Sequence, residues 1–151
     1  MSDKLEAVFG KNDEIRAVLD SYTAQLDSIS SQIAAIDPND PNAAAKLKQL
    51  QDQIEAISKE SSSKIDGILN EIRALTAGMT GDEARAAQKA VNQITAEIRM
   101  ASSAKTKVLD QLKVKEEEIA AAKKKKEEED AKKKPEEETP KADQQTTEPP
   151  A

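Results

Sequence analysis

Cysteine, histidine and tryptophan are absent from this 151-residue sequence. Without cysteine there is no disulfide, no zinc–thiolate site and no thiol nucleophile, as suits a reducing compartment. Without histidine the chain lacks the commonest metal ligand and the side chain best placed for acid–base work near neutral pH. Aromatic residues are nearly gone as well, only Phe9 and Tyr22 remaining. Aromatics supply much of the buried area of ordinary cores, so the interior has to be built from Leu, Ile, Val and Ala, which fits narrow seams between helices. Glycine occurs four times, and no alternating Val/Thr/Tyr pattern of strand type is found. No apolar run reaches transmembrane length, and the opening residues MSDKLEAVFG lack the basic-then-apolar layout of a secretion signal. Together these absences predict a soluble all-α protein with no membrane contact, cytoplasmic or packaged inside something made in the cell.

What is present is periodicity. The first apolar series is Leu5, Val8, Ile15, Leu19, Tyr22, Leu26, Ile29, Ile33 and Ile36, and from Ile15 its steps alternate strictly between four and three. That is a heptad seam, with Asn12 at its one polar position. Asp37-Pro38-Asn39-Asp40-Pro41 interrupts it. Because the residue before a proline is pushed out of helical geometry, the first helix is expected over about 3–36. Asp40 followed by Pro41 reads as an N-cap with proline at the first helical position. So short a loop makes the next helix, about 41–77, fold back as a hairpin.

The second helix carries Leu47, Leu50, Ile54 and Ile57, then Ser61, then Ile65, Ile68, Ile72, Leu75 and Met79. Two successive steps of four around Ser61 insert a stutter, which locally unwinds a left-handed supercoil. With Ser62, Ser63 and Gly67 nearby, this is the expected weak point or bend. After Gly78-Met79-Thr80-Gly81, a T-x-x-E pattern (Thr80, Glu83) predicts a capping box and a third helix over about 81–122. Its seam is Ala87, Val91, Ile94, Ile98, Ala101, Val108, Leu112 and Ile119, interrupted by Lys105 and Lys115. Residues 1–122 thus form the expected helical coiled-coil domain. Residues 123–151 are a charged helix extension to about Lys134, supported by i,i+4 pairs such as Lys123–Glu127 and Glu128–Lys132, ended by Pro135 and followed by a disordered tail. The fold class is an elongated antiparallel helical hairpin or three-helix bundle with coiled-coil packing.

Sites for chemistry are wanting. The stretch from Asp37 resembles an EF-hand start but has Asn42 where that loop needs glycine and Lys48 where it needs a bidentate Glu. Di-metal bundle sites use inward Glu-x-x-His pairs, whereas these seams hold Ile and Leu. No Gly-rich phosphate loop, Walker motif or G-x-S-x-G is found. The expectation is a non-enzyme without cofactor, metal or small-molecule substrate. Lys123 to Lys126 form a basic run, yet residues 123–151 hold eight Lys against nine acidic residues, a net of −1, which cancels the long-range field that phosphate binding requires.

Charge is unevenly divided. Residues 12–37 hold Arg16 against five carboxylates, a net of −4, and residues 84–115 hold seven basic residues against Glu97 and Asp110, a net of +5. Opposite charge favours helices one and three lying side by side, within a chain or between copies. Long helices, an overall charge of −6 and a charged tail resemble, in composition, the scaffolding and virion-assembly proteins of bacteriophages. The resemblance implies a structural protein that associates with itself or with other proteins, an assembly scaffold or spacer. A helical chaperone or adaptor holding a client, and a nucleic-acid-associated protein using the basic third helix, are the alternatives, nucleic acid being disfavoured.

Overall fold

The computed structural model describes residues 2–146, with side-chain surroundings for residues 2–132. Three helices make up the fold: α1 (Asp3–Ala34), α2 (Ala43–Thr76) and α3 (Gly81–Thr146). No strand occurs among the described residues. The chain is all-α, as its periodicity predicts. Of the two architectures expected, the structure takes the three-helix bundle.

Topology follows from which residues meet. Asn12 lies against Ala90, Arg16 against Glu97, Ser30 against Gln111 and Lys115 against the Ile36 carbonyl. The sequence separation stays between 78 and 81 along the whole of α1, so α1 and α3 run parallel in one fixed register. Lys11 pairs with Glu71, and Ser58 meets Lys105, so α2 runs antiparallel to both. At ~1.5 Å per residue the 32 residues of α1 and 34 of α2 give rods of roughly 50 Å. Helix α1 packs closely on both partners, while α2 and α3 meet less extensively.

Helix α1 opens at Ser2, whose hydroxyl accepts from the Leu5 backbone N–H at 3.1 Å, with Asp3 and Glu6 in the positive first turn. Three details of the helix ends differ from the expected ones. Helix α2 begins at Ala43, and Asp40 is not its N-cap: its carboxylate closes a turn on the Asn42 N–H at 2.8 Å and pairs with Lys46 at 2.7 Å. Satisfied locally, it has no need to cap the helix. At the second turn Thr80 offers its backbone carbonyl to Ala84 N–H at 3.3 Å, and no side-chain bond of the expected capping box forms. Gly81, at φ 61°, makes the corner there.

The third difference is the end of α3. The helix crosses residue 122 and the expected stop at Pro135 and continues to Thr146. Pro135 and Pro140 both lie within it, each lacking a backbone donor and crowding the carbonyl four residues back, while Ala, Lys and Glu, strong helix formers, dominate the surrounding sequence. The last part of the expected tail, residues 147–151, lies outside the described residues. Around Ser61 the expected bend leaves α2 unbroken from Ala43 to Thr76.

Candidate interaction site

The seams meet inside one chain. On α1, Ile15, Leu19, Tyr22, Leu26, Ile29 and Ile33 are all buried, and so is Ile36, which lies two residues past the end of the helix. On α2, Leu47, Leu50, Ile54, Ile65 and Ile72 are buried, while Ile57, Ile68 and Leu75 are half-buried. On α3, Ile94, Val108 and Leu112 are buried and Val91 and Ile98 half-buried. All belong to one cluster. The difference between helices has a simple geometric source. Helix α1 has a neighbour on either side of its stripe, so a two-per-heptad seam is covered completely. The α2 and α3 stripes each have an outer edge that α1 does not reach. Full burial of an Ile or Leu side chain contributes ~1.5–3 kcal/mol, so α1 holds the largest share of the cohesion.

Polar contacts fix the register of α1 on α3. Asn12, 2% exposed, donates its Nδ2 to the Ala90 carbonyl at 3.0 Å, and its Oδ1 has no partner. The small side chains of Ala87 and Ala90 bring α3 near enough for that bond. Ser30 Oγ donates to Gln111 Oε1 at 2.6 Å, and Gln111 Nε2 donates to the Ser30 carbonyl at 2.9 Å. The two lysines that interrupt the α3 seam snorkel: Lys105 Nζ donates to Ser58 Oγ on α2, and Lys115 Nζ to the Ile36 carbonyl at the end of α1, both at 2.9 Å. They complete the bundle instead of opening it. Neither Ala90 nor Gln111 stands out in the sequence, because a backbone acceptor and a polar residue beside a seam carry no periodic signal.

Charge complementarity between α1 and α3 takes an inverted form at contact. The side-by-side placement matches the expectation, yet the ion pair joining the helices is Arg16, the lone cation of residues 12–37, with Glu97 at 3.1 Å. Arg16 also bonds Asp13 at 3.0 Å, and these carboxylates, Glu97 foremost, hold its guanidinium above its ordinary pKa. Lys11 is likewise raised, chiefly by its hydrogen bond to Glu71 on α2 and then by Glu14. Among the described residues Asp20, Asp27, Lys107 and Lys113 form no ion pair.

Two hollows lie at the turn end of the bundle. A cavity of about 240 Å³ between α2 and α3 is lined by Ala44, Leu47, Lys48, Gln51, Glu116 and Ile119. A half-open cleft of about 760 Å³ separates Pro38–Pro41 from the first turns of α3 beyond Ile119. Along that cleft and past it every α3 residue from 123 to 132 is exposed. Among the described residues no group of three or more carboxylates is arranged to hold a metal ion, and no helix is long and apolar enough to cross a membrane. No protein-family model, curated protein or solved structure matches the chain.

Proposed function

We propose that this chain is a non-enzymatic structural protein, an assembly scaffold or spacer whose product is a fixed distance between bound partners. The observation that carries the reading is α3: it belongs to the bundle as far as Ile119 and then runs on to Thr146 as a helix, with every residue from 123 to 132 exposed. Those 27 residues beyond Ile119 would add roughly 40 Å to the rod at ~1.5 Å per residue. A catalyst gains nothing from such an arm, whereas a spacer or scaffold uses its length directly. Heptad spacing on α1 and snorkelling lysines on α3 support coiled-coil packing as the means of stiffening the base. Partners on this reading are proteins, further copies of the chain among them, and particle assembly of the virion kind is the setting that the composition resembles.

Length is the property to test. Inserting fourteen residues of the same charged pattern after Lys126 lengthens a helical arm by about 21 Å. Small-angle scattering should report a maximum dimension longer by that amount, and electron microscopy of assemblies should show their spacing widened equally. An unchanged spacing and unchanged maximum dimension would overturn the spacer reading.

A further inference from the structure

The outward face of α3 has no partner within the chain. Met100 and Val114 are 73% and 54% exposed, and with Lys107 between them they stand seven residues apart on one line. Arg99 and Lys113 flank that line, exposed and, like Lys107, without an ion pair among the described residues. The face combines large apolar side chains with three cations and one exposed carboxylate, Asp110, three residues from both Lys107 and Lys113.

The outward face of α1 is its complement. Glu6, Asp13, Asp20 and Asp27 recur every seven residues, all exposed. Beside them Gly10, Ala17 and Ala24 recur at the same interval, also exposed. A Cβ added to Gly10 would meet nothing within 4 Å, so no contact inside the chain requires a glycine there, although glycine weakens a helix interior. An acidic face with small residues, bearing the exposed Phe9 beside Gly10, and a protruding basic face of equal repeat thus lie on one rod.

We infer that the exposed face of α3, centred on Met100, Lys107 and Val114, docks the acidic outer face of α1 of a second copy of this chain. Charge complementarity selects the pairing, and in a parallel two-fold pairing the offset of 78 to 81 residues between α1 and α3 brings Met100 level with the stretch between Ala17 and Ala24 of the second copy and Lys107 level with its Asp27. In a two-fold dimer each copy contributes one face of each kind, so the contact occurs twice. The inference rests on the scaffold reading above, giving it a defined self-association.

The full chain tests it. Light scattering after size-exclusion chromatography should give a dimer or larger species at low salt that shifts to monomer as ionic strength rises toward ~0.5 M, where screening is nearly complete. The triple variant Arg99→Glu, Lys107→Glu, Lys113→Glu and the triple variant Glu6→Lys, Asp20→Lys, Asp27→Lys should each be monomeric with wild-type helicity. Mixed in equal amounts they should reassociate, because each supplies the face the other needs. Should a variant lose helicity, Met100→Ser with Val114→Ser provides the check: association at least tenfold weaker, melting unchanged. A wild-type monomer at every salt concentration overturns the proposal, as does association that survives both triple variants. The latter result leaves the scaffold reading intact, and the arm insertion judges that reading independently. Retention of a short DNA duplex, lost in the α3 variant while its mass stays unchanged, would assign the face to nucleic acid and overturn the proposal too.

Discussion

Asn12 reaches across the core and donates a hydrogen bond to the backbone carbonyl of Ala90, 3.0 Å away. It is the buried polar residue of the core, and only half of its amide is satisfied, Oδ1 lying without a partner. A buried amide at a seam position opposes sliding of one helix on another, because any other register strands both its polar atoms. Asn12 therefore lowers stability in exchange for a defined register of α1 against α3.

Replacement of Asn12 separates those two roles. Asn12→Leu should raise the melting temperature, since the orphaned oxygen is removed, while chromatography should reveal a broader set of associated species as the register loosens. Asn12→Asp should cost on the order of 3 kcal/mol at neutral pH, the penalty of an uncompensated buried charge. That variant should recover stability on acidification, because the buried carboxyl has a raised folded-state pKa and the protonated form is the one the core tolerates. Denaturant titrations across pH provide the measurement.

Lys115 acts at the other end of the same interface. The last turn of α1 has no basic residue, and Lys115 of α3 supplies the missing cation by donating to the Ile36 carbonyl at 2.9 Å. Its side chain is 13% exposed and also pairs with Glu118 at 3.4 Å. Lys115→Met keeps the stem and should lose about 1 kcal/mol, the worth of a charge-assisted bond at a helix C-terminus. Lys115→Ala should lose roughly 2 kcal/mol, the stem packing being removed as well. Equal losses in urea denaturation would show that the stem contributes nothing.

The turn between α1 and α2 should be acid-sensitive. Asp40 is held below its ordinary pKa of 3.8, first by the Lys46 hydrogen bond and then by the Asn42 backbone N–H. For a carboxyl depressed in the folded state, the stabilisation is complete above the unfolded-state pKa and is lost as pH falls through the folded-state value. The difference in melting temperature between the wild type and Asp40→Asn should therefore be constant at neutral pH and shrink below about pH 4. A difference that persists unchanged into stronger acid would mean that the carboxylate charge is not what the turn uses.

The α1 seam was legible residue by residue, from Ile15 to Ile36, since strict alternation of four and three admits one buried face. The half-burial of Ile57, Ile68, Leu75, Val91 and Ile98 was not legible, because periodicity names the face a helix buries but not how many neighbours cover it. Lys105 and Lys115 interrupt the α3 seam in sequence and yet seal it in space, as each reaches a polar atom on another helix. The surface proposed for self-association was half legible. The opposed charges of α1 and α3 are visible in composition, whereas Arg16–Glu97 taking the intramolecular contact depends on which side of each helix faces inward.

The sequence by itself determined the helical class, the number of helices, the narrow apolar stripes and the turn at Pro38–Pro41. These are local properties: propensity, period and the steric demands of proline act within a few residues. Tertiary structure alone decided that α1 lies at the centre, that α1 and α3 run in parallel with a fixed register, and which charges remain facing solvent. Those outcomes depend on contacts between residues 78 to 81 positions apart. At such separations a single sequence carries no periodic signal, and the arrangement follows from burying three stripes at once while giving the buried polar atoms partners.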